Sequence, residues 1–110
     1  MLYIIHFTSA IGDLSNPKGH ASHYTGCCAD DRLQDRLLEH RSGYGAKITQ
    51  AAVRRGIALL LGATLPGGYI EEKILKQSTK NAPRYCAICR EQRILEKMFQ
   101  SERGRHDATA

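Results

Sequence analysis

The sequence predicts an α/β composition organised as an α+β domain, a small three-stranded antiparallel sheet flanked by helices. Three observations lead there. Residues 2–7, 22–28 and 57–65 have strand composition, rich in β-branched, aromatic or continuous apolar residues. The segments around 30–43, 48–55 and 70–79 carry apolar residues at helical spacing. The resulting order, β-β-α-α-β-α with a tail, does not suit a doubly wound fold, and an antiparallel sheet with helices against it is the natural solution.

The elements follow in order. LYIIHF at residues 2–7 reads as a buried first strand. Residues 8–21 hold Gly12, Asp13, Ser15, Asn16, Pro17 and Gly19, turn formers that predict a long loop. SHYTGCC at 22–28 closes a hairpin. Asp30 or Asp31 is placed to cap the first helix, Leu33, Leu37 and Leu38 give its apolar face, and Gly43 its stop. Arg32, Arg36 and His40 recur every fourth residue and predict an exposed stripe. A second helix at 48–55 turns Ile48, Ala51, Ala52 and Val53 inward, and residues 57–65 form a fully buried third strand. After the Pro66-Gly67-Gly68 turn, Ile70, Ile74 and Leu75 define a third helix to about Thr79. Asn81-Ala82-Pro83 breaks it, and residues 84–89 are expected to be extended. The chain thus divides into a domain at 1–89 and a charged helical tail at 90–110, disordered from Gly104.

Composition bounds the function. The chain has 110 residues, the size of one domain, and a formal charge of +5 that favours a polyanionic partner. Its longest apolar run is nine residues, 57–65, too short for a bilayer, and no basic segment precedes an apolar run at the N-terminus. A cytoplasmic protein without a membrane partner is expected. The four cysteines fall as Cys27-Cys28 and Cys86-x-x-Cys89. Reduced thiols are the expectation, and a zinc clip using Cys86, Cys89 and one of Cys27 and Cys28 is the alternative, since adjacent strand residues face opposite ways.

Five features stand in one order: Leu2-Tyr3-Ile4, Tyr24-Thr25-Gly26, a helix with Arg36 and His40, a helix opened by Glu72 with Lys76, and Lys80-Asn81-Ala82-Pro83-Arg84 before the CxxC. This ordered set resembles the GIY-YIG nuclease superfamily, most closely its short stand-alone bacterial members, over residues 2–89. The resemblance implies an endonuclease that hydrolyses nucleic-acid phosphodiesters, DNA first, and a catalytic module this small with no obvious second recognition domain is expected to have low sequence specificity. It implies a divalent cation, Mg²⁺ or Mn²⁺, on Glu72, with Tyr3 and Tyr24 sharing water activation and phosphate positioning.

The chemistry suits those residue types. Arg36 can donate two parallel hydrogen bonds to a phosphate, and a hard ion suits a carboxylate completed by water and phosphate oxygens. A phenol is a poor base near neutral pH unless cations or a partner such as His40 take its proton. Arg32, Lys76 and Asn81 would contact the nucleic acid. Glu71 is the rival to Glu72, which lies at the rim of the apolar face and is preferred for its spacing to Leu75-Lys76. Leu2 and Cys27 stand where family members usually have Gly and Lys, which keeps two other readings open: a non-cleaving nucleic-acid-binding module and a zinc-stapled interaction domain. The apolar face of the tail would pack on the core or join a second copy as a homodimer.

Overall fold

The computed structural model describes residues 1–12 and 20–109, and the side chains of all of these except His20 and residues 102–109. The expected fold class is present: one three-stranded antiparallel sheet with helices around it, in the strand order β2-β1-β3. Strand β1 (Leu2–Gly12) is central, between β2 (His20–Cys27) and β3 (Leu59–Leu65). Leu2, Tyr3, Ile4, Ile5 and Phe7 are each no more than 2% exposed. A strand covered on both faces needs such a continuous apolar run, and each large side chain buried contributes about 1.5–3 kcal/mol. Tyr3, Ile5, Phe7 and Ile11 share one face of β1 and meet Leu37, Ala52 and Leu59 in the core. The alternation of a strand turns Leu2, Ile4 and His6 to the opposite face.

Several element boundaries differ from the sequence expectation. Strand β1 continues to Gly12, through residues expected as loop, because Ile11 returns to the core and pairs with Ala21. Residues 13–19 of the expected loop lie outside the described residues. Strand β3 is not fully buried: it is an edge strand, with Leu60 and Leu61 exposed by 39% and 37%. Its pairing shifts between Ile4↔Ala63 and Ile5↔Leu61, which leaves Gly62 as a bulge.

Helix α1 (Leu33–Arg41) follows a 3₁₀ turn at Asp30–Arg32 that has no side-chain cap. Asp30 instead accepts a hydrogen bond from the N-terminal amine at 3.2 Å. The inward stripe of α1 is Leu33, Leu37 and His40, whereas Leu38, expected inside, is 65% exposed. His40, expected on the exposed side, is 0% exposed. Four residues advance a helix about 40° beyond a full turn, so a stripe that starts outside at Arg32 has rotated inward by His40. Helix α2 (Lys47–Arg54) packs Ile48, Ala51, Ala52 and Val53 on the core as expected.

Helix α3 (Tyr69–Lys76) ends before Thr79. The next segment is not extended: Asn81–Tyr85 forms the short helix α4, and α5 (Ala87–Thr109) starts immediately after Cys86. Pro83 sits in the first turn of α4, where amides lack intrahelical acceptors and a missing N–H costs nothing. Helix α5 also runs through Gly104 and the residues expected to be disordered, while Ala110 lies outside the described residues. Every residue of α5 from Arg90 to Ser101 is exposed, so the apolar face of Ile94, Leu95, Met98 and Phe99 does not pack on the core. No helix among the described residues is long and apolar enough to cross a membrane.

Candidate functional site

The sheet and α1 bring Tyr3, Tyr24 and His40 together. Tyr3 and Tyr24 lie on adjacent strands, with ring centroids 6.3 Å apart. The His40 ring is 5.7 Å from Tyr3 and 5.1 Å from Tyr24. Two glycines make the approach feasible. A Cβ on Gly26, the cross-strand partner of Tyr3, would overlap Tyr3 Cζ and Oη, and one on Gly45 would overlap the His40 ring.

Hydrogen bonding fixes the proton order in this cluster. Thr49 on α2 donates its hydroxyl proton to Ala46 O at 2.8 Å. Its oxygen must therefore accept from His40 Nδ1, 2.9 Å away. Neutral His40 then has its lone pair on Nε2, which accepts the Tyr3 hydroxyl at 2.8 Å. Burial, with the Arg36 charge nearby, holds His40 below the usual histidine pKa and keeps it neutral. Burial, with Tyr24 beside it, pushes Tyr3 up to about 12 against the opposing pull of Arg36. Tyr3 is therefore a phenol at neutral pH, its hydroxyl donated to a neutral imidazole. Thr49 escaped the sequence reading. The signal was a polar β-branched residue three positions before Ala52, on the inward face of α2.

The other expected residues fall at different depths. Arg36 is half-buried and donates to Glu39 at 2.7 Å. Lys76 lies 5.4 Å from the Tyr24 ring centroid and donates to Glu72 at 2.7 Å, so α3 brings both charges to the second tyrosine. Glu72 is 16% exposed, whereas the rival Glu71 accepts the Gly68 amide at 2.9 Å and closes the first turn of α3. Asn81 donates to Leu75 O at 3.0 Å and so caps the end of α3. Arg32 is not part of the cluster; it is exposed and pairs with Asp35 at 3.5 Å. Beside Tyr24 opens a groove of about 380 Å³, also lined by Thr25, Ile48, Leu75, Lys76 and Thr79.

A second grouping occupies the other face of the sheet. His6 on β1 and His23 on β2 are register partners, and Cys86 and Cys89 come to them from the start of α5. Their ligand atoms all lie within 4.8 Å of one another, and together they could hold a metal ion. Burial, with His6 adjacent, lowers His23 to about 4, and burial also lowers His6. Burial and the neighbouring Cys86 push the Cys89 thiol up to about 11. Cys27 and Cys28 are free thiols outside this group. The partners of the CxxC are thus two histidines, and the sequence alternative that drew on Cys27 or Cys28 is corrected. The missed signal lies in Leu-Tyr-Ile-Ile-His and Ser-His-Tyr, where each histidine is an odd number of positions from its tyrosine and so faces away from it.

Comparison with known proteins adds no relative: no family model matches the chain, and neither a curated protein nor a solved structure matches it.

Proposed function

We propose that the chain is a divalent-metal-dependent endonuclease acting on DNA with low sequence specificity. The observation that carries this reading is the Tyr3–His40–Thr49 hydrogen-bond chain, oriented so that a phenolic proton is directed at a neutral imidazole. A buried network that orients a tyrosine, a histidine and a threonine beside an arginine supports such chemistry, since a positioned proton acceptor and a nearby cation are what hydrolysis of a phosphate ester can use. The ordered motifs resembling GIY-YIG nucleases supply the reaction class.

Tyr24 lines the groove and is the phenol that reaches solvent, so it positions the attacking water or the phosphate. Tyr3 lies beneath it and donates its hydroxyl to His40, which Thr49 holds in the accepting tautomer, so the pair fixes the floor of the site beside Tyr24. Arg36 and Lys76 supply positive charge for the phosphoryl oxygens. Glu72 would hold Mg²⁺ or Mn²⁺. It belongs to no grouping of three or more His, Cys, Asp and Glu donors among the described residues; the one such grouping is on the opposite face. One protein ligand suits an ion that retains several waters and takes phosphate oxygens. When bound, the ion supplies Lewis-acid stabilisation of the phosphoryl group. Lys76 must then exchange its ion pair with Glu72 for the phosphate.

One observation favours a second reading, a nucleic-acid-binding module that does not cut. Tyr3 is 0% exposed and takes part only through its neighbours. Cleavage of single-stranded, duplex and branched DNA and of RNA, with Mg²⁺ and with Mn²⁺, separates the two. The nuclease reading expects metal-dependent cleavage of DNA that falls by about 10²-fold or more in His40→Ala and in Glu72→Ala. Binding without cleavage under any of these conditions would establish the module instead.

A further inference from the structure

We propose that His6, His23, Cys86 and Cys89 form a structural zinc site that staples the start of α5 to the sheet. Four of the six donor–donor edges have lengths near those of a tetrahedral site, and all six lie within 4.8 Å. His6 Nδ1 lies 3.1 Å from His23 Nε2 and 3.6 Å from Cys86 Sγ. Cys89 Sγ lies 3.5 Å from His6 Nδ1 and 3.3 Å from His23 Nε2. Zinc–nitrogen and zinc–sulfur bonds of roughly 2.0–2.3 Å place tetrahedral ligands about 3.3–3.8 Å apart. The four measured edges fall at or close to that range.

Chemistry points to the same ion. Two thiolates and two neutral imidazoles give a net charge of zero with a divalent cation, so the group can be buried without an unpaired charge. Sulfur and imidazole donors select a borderline or soft metal such as zinc over Mg²⁺. Ser22 Oγ lies 2.9 Å from His23 Nδ1, where it can accept the Nδ1 proton and leave Nε2 for the metal. The backbone also makes room: a Cβ at Gly62 would come within 2.6 Å of Cys86 Sγ, so the β3 bulge carries a glycine where that sulfur rests on the sheet.

Helix α5 is anchored where such a staple would sit. From Arg90 to Ser101 every residue of α5 is exposed, so the helix has its anchorage in the turn that holds Cys86 and Cys89. Two strands, the α4–α5 junction and the first turn of α5 contribute ligands from positions 6, 23, 86 and 89, and metal binding therefore ties both strands to the start of α5.

The test reads metal, not cleavage, so its failure would leave the nuclease proposal standing and the reverse also holds. The untagged chain, purified under reducing conditions and dialysed against zinc and then metal-free buffer, is expected to retain one zinc per chain. Exchange for Co²⁺ is expected to give tetrahedral ligand-field bands with thiolate charge-transfer absorption. Zinc affinity should fall by at least tenfold in Cys89→Ser and in His23→Ala, and by roughly 10–100-fold in Ser22→Ala. It should be unchanged in the Cys27→Ser/Cys28→Ser double variant. A variant that does not fold leaves the wild-type cobalt spectrum to decide. A zinc-free chain, an octahedral cobalt spectrum, or full affinity retained in the folded Cys89 and His23 variants would overturn the proposal. So would dependence on Cys27 and Cys28.

Discussion

A methyl group at Gly26 has no space, because its carbon would fall on the tip of the Tyr3 ring. Gly26→Ala is therefore an overpacking change in a site with no slack, expected to cost about 1–3 kcal/mol in urea denaturation. If cleavage is present it should fall by more than the folded fraction does, since the displaced group is the Tyr3 hydroxyl itself. His40 makes a prediction with a sign. Its folded pKa lies below its unfolded value of 6.5, so the unfolded chain binds more protons in acid. The stability from neutral His40 is complete above pH 6.5 and is lost progressively as pH falls from there toward the folded pKa. Equilibrium unfolding across that window should show a shallower pH dependence in His40→Gln than in the parent; an unchanged slope would remove His40 from the linkage. At this scale the sequence was legible where a residue type is tied to a motif. Tyr3, Tyr24, Arg36 and His40 do come together, but the burial of His40 and the part played by Thr49 depend on how α1 and α2 rotate against β1. No local pattern states that rotation.

Among the elements, β1 follows from the continuous apolar run of a covered central strand and α2 from its periodicity, whereas α3 forms where expected but leaves Ile70 and Ile74 of its apolar face exposed. The misreadings fall where a neighbour that is remote in sequence decides the outcome. Strand β3 reads as fully buried in isolation, yet it is the sheet edge, and only the pairing order β2-β1-β3 reveals that. The segment after α3 reads as extended because Pro83 is a breaker inside helices, but at a helix start it is tolerated. Asn81 shows how a capping residue can resemble a functional one. Its side chain satisfies the Leu75 carbonyl at the end of α3, and Asn81→Ala should cost about 0.5–1.5 kcal/mol. Measured well below the melting temperature, that variant should bind nucleic acid with unchanged affinity. A marked loss of affinity without a loss of stability would return Asn81 to the interface.

Across the whole molecule the sheet separates two kinds of chemistry by the alternation of its central strand. Odd positions of β1 carry Tyr3, Ile5 and Phe7 into the helical core, and the even position His6 meets the cysteines on the other face. Residues in separate clusters with no shared partner act nearly additively. Tyr3→Phe removes a hydroxyl that His40 needs, and Cys89→Ser removes a ligand on the far face. The stability losses of the two single variants should therefore sum in the double variant to within about 0.5 kcal/mol. Only Tyr3→Phe should alter the chemistry at Tyr24 and His40, and only Cys89→Ser should alter zinc content. The exposed helix provides the complementary experiment. A chain ended after residue 92 keeps Cys86, Cys89 and both faces of the sheet, and loses residues that are exposed throughout the described part of α5. Because exposed side chains usually contribute within about 0.5 kcal/mol each way, its thermal midpoint and zinc content should stay close to those of the full chain. The same truncation removes Ile94, Leu95, Met98 and Phe99, the apolar face available for pairing with a second copy. Sedimentation of the two chains at equal concentration then reads that face alone: a dimer formed by the full chain and absent from the short one assigns it to α5, and identical sedimentation assigns the face no part in assembly.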